Sequence, residues 1–189
     1  MKTVSILYHS GNGHTQKLAE AVNLGVSSVS GITTNLISID QNDIINGHYK
    51  NEEVFNKLDA SDAIIFGSPT YMGNISAQFK AFADASVGSW FQQKWRDKLA
   101  AGFTVSGTPS GDKLSTLQYL NTLAMQHGMI WVSLGESPMQ ANGSNRLGSW
   151  IGVMAQAEND SPEVTPGKED KYTAIQLGKR VAGLVLKIN

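Results

Sequence analysis

The chain has 189 residues, 41% hydrophobic and 16% charged, with a formal net charge of −1 and no cysteine. That length suits one domain with a full core, expected to span residues 1–189, and the charge argues against a nucleic-acid partner, which needs a basic face. The missing thiols exclude disulfides, thiolate catalysis and cysteine-ligated metal sites, and no apolar run reaches the roughly 18 residues of a membrane span.

The first element predicted is a strand, Val4–Tyr8, broken by His9-Ser10-Gly11-Asn12-Gly13-His14-Thr15 and followed by an amphipathic helix over about 15–29. A run this short does not have the design of a signal peptide, and a cytoplasmic protein is expected. A loop at a helix N-terminus offers unpaired N–H groups and the positive end of the helix dipole to an anion. Ser10, Asn12 and Thr15 add hydrogen-bonding side chains, and Gly11 and Gly13 let the backbone close in. The loop lacks the Lys-Ser/Thr pair of a Walker loop and the GxGxxG spacing of a dinucleotide fold. It suits a terminal phosphate monoester, although a Ser/Gly/Asn turn that only caps a helix uses the same residues.

Further strands are predicted at Thr33–Ile39, Ala63–Phe66, Ala100–Val105 and Met129–Val132, with helices over about 51–60, 75–86, 112–127 and 169–187. This alternation predicts a doubly wound α/β flavodoxin-like fold. Its five-stranded parallel sheet takes the order 2-1-3-4-5, with helices on both faces. Ligands in such sheets bind beyond the C-terminal strand ends, so the loops after these strands are the candidates. After the third strand, Pro69-Thr70-Tyr71-Met72-Gly73 offers backbone groups and apolar surface for a planar heterocycle. After the fourth comes Ser106-Gly107-Thr108-Pro109-Ser110-Gly111. Each reads alone as a plain turn; three polar, glycine-bearing loops at one edge are a poor coincidence. His127, before Gly128, reads locally as a helix-end residue. No His/Asp/Glu cluster has metal-ligand spacing, and no metal is expected. Long segments at 88–98, with Trp90, and at 135–168 exceed ordinary connections.

Together these residues resemble the tryptophan-repressor-binding-protein type of NAD(P)H:quinone oxidoreductase, within the flavodoxin-like superfamily. The likeness runs nearly end to end. It is carried by Ser10, Gly13 and His14, by the run from Gly67 to Asp84, by Trp90, by Ser106–Gly111 and by His127-Gly128-Met129. The resemblance implies non-covalent FMN, with Ser10–Thr15 on its phosphate, Pro69–Gly73 along the ring and Ser106–Gly111 at the other edge. It implies His127 beside the flavin as the catalytic group, and Trp90 and Tyr71 as walls of the substrate pocket, Trp90 reaching toward a neighbouring subunit's site. It also implies NAD(P)H as co-substrate, a quinone acceptor reduced by two electrons in ping-pong order, and a homo-oligomer, dimer or tetramer. The chain departs from the family at Asn12, at Tyr71 and over 145–152, where Trp150 is either a pocket wall or an interface anchor. Two alternatives stay open: a one-electron carrier, and a reductase of another acceptor such as an azo or nitro compound.

Overall fold

The computed structural model describes residues 1–188. Its elements in chain order are β1 (Lys2–Tyr8), α1 (His14–Ser27), β2 (Ile32–Ser38), the short pair β3 (Ile44–Ile45) and β4 (His48–Tyr49), α2 (Glu52–Asp59) and β5 (Ala63–Pro69). There follow α3 (Ala77–Ala85), α4 (Val87–Phe91), β6 (Leu99–Ser106), α5 (Lys113–Gln126), β7 (Ile130–Trp131), β8 (Val153–Gln156) and α6 (Lys168–Val185). The flavodoxin-like α/β fold expected from the sequence is what forms. The main sheet runs β2-β1-β5-β6-β7, all parallel, and β8 also pairs with β6.

One detail of the strand order differs. The fifth position is shared by two short strands on the same side of β6. β7 pairs with its start, Leu99 and Ala100, and β8 with its end, Phe103–Ser106. The chain leaves the sheet at 132 and returns at 153. Trp131 Nε1 donates to the Ile151 carbonyl at 2.7 Å and ties the two ends of that excursion together.

Side chains alternate across the sheet, so each strand feeds two cores. Val4, Ile6, Ala63, Ile65 and Phe103 pack with Leu18, Val22, Leu177 and Val181, beneath α1 and α6. Leu7, Ile64 and Phe66 pack with Phe79, Phe82, Trp95, Leu117 and Leu120, beneath α3 and α5. α1 and α6 approach closely at two glycines: a Cβ on Gly25 would collide with the Ile175 carbonyl, and one on Gly178 with the Val22 carbonyl. The strands end together, with Tyr8 beside Gly67 and Pro69 beside Val105. Three loops therefore leave the sheet at one edge.

Candidate functional site

A cleft of about 240 Å³ lies at that edge. It is lined by Asn12, His14 and Thr15 after β1, by Pro69, Thr70 and Tyr71 after β5, by Val105, Ser106 and Gly107 at the end of β6, and by Ala157 and Glu158 after β8. The topology alone demands this convergence, because all four strands are parallel.

Ser10 shapes the first loop. Its Oγ accepts from the amides of Gly13 at 3.1 Å and Gln16 at 3.2 Å. Gly13 sits at φ 89°, the left-handed region that favours glycine, and turns the chain into α1. The amides of Asn12, His14 and Thr15 have no hydrogen-bond partner among the described residues. They supply the anion-binding capacity of a helix start. Lys17, the cation nearest in sequence, is held by Glu163 at 2.8 Å. The cleft's own charge is the carboxylate of Glu158, so an anion here is held by neutral groups.

The second loop is a tight turn. Tyr71 and Asn74 exchange backbone hydrogen bonds of 2.8 and 3.1 Å, with Met72 and Gly73 at positive φ between them. Tyr71 leans over the first loop, and a Cβ on Gly11 would collide with its hydroxyl. Met72 projects fully into solvent at the tip and does not line the cleft. Beneath the floor, Thr70 Oγ1 shares hydrogen bonds of 2.8 Å with the hydroxyls of Thr104 and Thr116.

The third loop is gripped from below by a residue that sequence reasoning missed. Lys113 is completely buried, and its ammonium donates to Ser106 Oγ and to the carbonyls of Thr108 and Pro109 at 2.7–2.9 Å. Thr108, Pro109 and Ser110 stay exposed, and the cleft takes only Ser106 and Gly107 from this loop.

The fourth wall is also new. Ala157 and Glu158 donate their amides to the carbonyls of Ser106 and Gly107 at 2.9 and 3.0 Å. Beyond them, Pro162 abuts Gly13, and His14 Nε2 bonds the Asp160 carbonyl at 2.9 Å. Asp170 anchors this wall: it takes Arg146 through both oxygens at 2.7 and 2.8 Å, and Oδ2 also accepts the Gln156 amide. No residue of the stretch 145–152 lines the cleft, so Trp150 is not a wall of it. Asn145 is buried and bonds Glu136 and Ser149, while Trp150 is exposed outside the cleft.

His127 requires a correction. α5 starts at the cleft edge, and His127 caps its far end, about 21 Å down the helix axis. The imidazole is 2% exposed and stacks on Trp95 with ring centroids 4.1 Å apart. Its Nε2 meets Ser86 Oγ at 2.9 Å; that hydroxyl donates to the Ala83 carbonyl, so Nε2 carries the hydrogen and Nδ1 is a bare acceptor without a partner among the described residues. Burial pushes the imidazole down to about 4. His127 is a neutral core group of the opposite sheet edge and does not touch the cleft. Trp90 likewise lies on α4, packed edge-on against Phe91 at 4.9 Å, and does not line the cleft.

The donors present fit FMN: unpaired amides for a phosphate at α1, and backbone and hydroxyl groups of two loops for a planar ring. The family described as NADPH-dependent FMN reductase matches residues 3–142. A curated relative, Flavodoxin FldP of Pseudomonas aeruginosa (strain UCBPP-PA14), is 37% identical over 187 residues, 96% of each chain. The crystal structure of a WrbA-like flavodoxin from Agrobacterium tumefaciens superposes with a TM-score of 0.78 at 43% identity, covering both chains in full. An NADH:FMN oxidoreductase in its apo form shares the fold, with a TM-score of 0.68 at 20% identity over all of this chain and 91% of that one.

Proposed function

We propose that this chain, which belongs to the NADPH-dependent FMN reductase family, binds FMN in the four-walled cleft and reduces a quinone with NAD(P)H by two electrons in ping-pong order. The observation that carries this reading is the row of unpaired amides at the start of α1, facing loops of β5 and β6 across one cleft. Bound there, FMN supplies the redox chemistry, taking a hydride from NAD(P)H and giving two electrons to the acceptor.

The chain's residues place and shield the cofactor. Ser10 holds the first loop open for a phosphate, which the Asn12, His14 and Thr15 amides receive. Pro69, Thr70 and Tyr71 wall one side of the ring, and Ser106 and Gly107 meet its other edge. The Tyr71 hydroxyl lies against Gly11 and joins the second loop to the first. The Tyr71 hydroxyl and the His14 imidazole are the aromatic hydrogen-bonding side chains at the cleft, placed for the role the resemblance assigned to His127. Trp90 and Phe91 are exposed apolar groups away from the cleft. They suit a cytoplasmic homo-oligomer, dimer or tetramer, in which Trp90 reaches a neighbouring copy.

A second reading, a one-electron carrier, draws support from the 37% identical relative named a flavodoxin. A net charge of −1 weighs against it, because carriers steer partners with strong charge. The test is anaerobic addition of NADH, then NADPH, to FMN-loaded protein, followed by benzoquinone. Loss of flavin absorbance with a nucleotide and its return with quinone supports the reductase. No loss with either nucleotide overturns it in favour of the carrier.

A further inference from the structure

Lys113 is the first residue of α5, and none of it reaches solvent. An ammonium has three donors, and all three are spent on neutral acceptors of one loop: Ser106 Oγ at 2.7 Å, the Thr108 carbonyl at 2.8 Å and the Pro109 carbonyl at 2.9 Å. Among the described residues no carboxylate pairs with it. Asp170 of α6 acts on it from farther off, but both Asp170 oxygens already hold Arg146, whose charge opposes that of Lys113. Glu158 stands on the cleft wall and Asp112 precedes Lys113 on the chain. A buried cation without a direct counter-charge is costly to a fold. Burial accordingly pushes the ammonium down to about 8.

Ser106 lines the cleft and Lys113 stands one hydrogen bond behind it. The Ser106 hydroxyl donates to the Thr108 carbonyl at 3.0 Å, so the influence of Lys113 on the cleft is that of a charge at short range. We propose that Lys113 is a positioning residue whose buried charge, one hydrogen bond behind the cleft wall, makes the cleft favour reduced, anionic FMN over oxidised FMN. The proposal rests on the FMN reading above. Hydride transfer adds two electrons and one proton to the ring and releases NAD(P)+, leaving the ring with one negative charge. The oxidised ring is neutral and gains little from a cation. The reduced ring supplies the counter-charge that Lys113 lacks, in a buried setting that salt screens poorly. The cation thus pulls electrons out of the nucleotide onto the protein, while the loop contacts serve both states alike.

The chain has no cysteine. Lys113→Cys can therefore be alkylated with bromoethylamine in denaturant and refolded, which rebuilds an ammonium on a thioether stem. Oxidised FMN is titrated by flavin fluorescence, and the two-electron midpoint potential is measured against a reference dye at pH 7. We expect Lys113→Met to bind oxidised FMN within about threefold of the wild type. Its preference for reduced over oxidised FMN falls tenfold or more, a drop of about 30 mV for a two-electron couple, and the aminoethylated protein recovers it. An unchanged potential in Lys113→Met overturns the proposal. So does a lowered potential that aminoethylation does not restore, which leaves Lys113 a clamp on the loop alone. If the variants do not fold, the wild-type potential decides: it should fall more steeply with pH above about 8 than that of free FMN, because reduction then draws a proton onto Lys113. Equal slopes overturn the idea. Wild-type protein that fails to quench FMN refutes the cofactor reading itself, and this proposal with it, in the first titration.

Discussion

At one end of α5 a buried lysine donates to three oxygens of the loop above it; at the other end a buried histidine leaves one nitrogen without a partner among the described residues. Burial pushes both bases down, Lys113 to about 8 and His127 to about 4. Their surroundings give these shifts different meanings. Lys113 sits where parallel strands end and loops leave unpaired amides facing outward. His127 sits where the same strands begin, amid Trp95, Ser86 and an aromatic core, with its polar atoms turned inward. A perturbed base near ligand-facing groups is poised for chemistry, whereas one packed on a tryptophan is held for packing.

The largest effect should come from His127→Ala. It removes a ring stacked on Trp95 and the hydrogen bond from Nε2 to Ser86 Oγ, a loss of about 3 kcal/mol. For a domain of this size that lowers Tm by roughly 6–12 °C, while FMN affinity stays at the wild-type value. A loss of FMN binding with no change in Tm would reverse the assignment of the two helix ends.

The same residue gives a pH signature. The folded protein holds His127 neutral and the unfolded chain protonates it near 6.5, so its contribution is full above that pH. It is lost as pH falls from 6.5 toward 4, by about 3 kcal/mol. Urea titrations of His127→Gln should show a flatter acid limb. The remaining slope includes His9, which burial also pushes down.

At the cleft edge, Ser10→Ala should cost about 1 kcal/mol of stability, because the Gly13 and Gln16 amides lose their acceptor. It should weaken FMN binding more than riboflavin binding, since the loop serves the phosphate. Equal weakening would move the phosphate elsewhere. The smallest effect should be Glu163→Gln, which breaks an exposed ion pair with Lys17. Melting should show no change in Tm; a clear drop would mean that this pair, rather than the Pro162 contact, holds the fourth wall on the first loop.

Most of the fold was legible in the chain because the strands are apolar runs with sharp polar ends. Val4–Tyr8 stopping at His9-Ser10 located both β1 and the cleft loop. β8 was not legible: Val153–Gln156 is four residues long, lies in a Gly/Ser/Asn-rich stretch, and is a strand only because the end of β6 offers it a partner. The polar character of the first three loops was readable. Lys113 was not, since lysines are ordinarily exposed and nothing local in Asp112-Lys113-Leu114 announces burial. His127 did carry a usable signal: a helix that begins at the cleft rises 1.5 Å per residue, and 14 residues carry its last turn to the other edge of the sheet. Motif likeness identified the residue type and overrode that arithmetic.

The contact of Pro162 with Gly13 and the bond from His14 to the Asp160 carbonyl join segments nearly 150 residues apart. During synthesis the first loop leaves the ribosome well over 100 residues before its covering wall and before α6, which buries the inner face of α1. At about 5–20 residues per second the chain spends several seconds with that helix face uncovered. The cleft is therefore completed only after the fourth wall has been made, and a nascent chain stalled before residue 157 has no finished cleft to offer a cofactor.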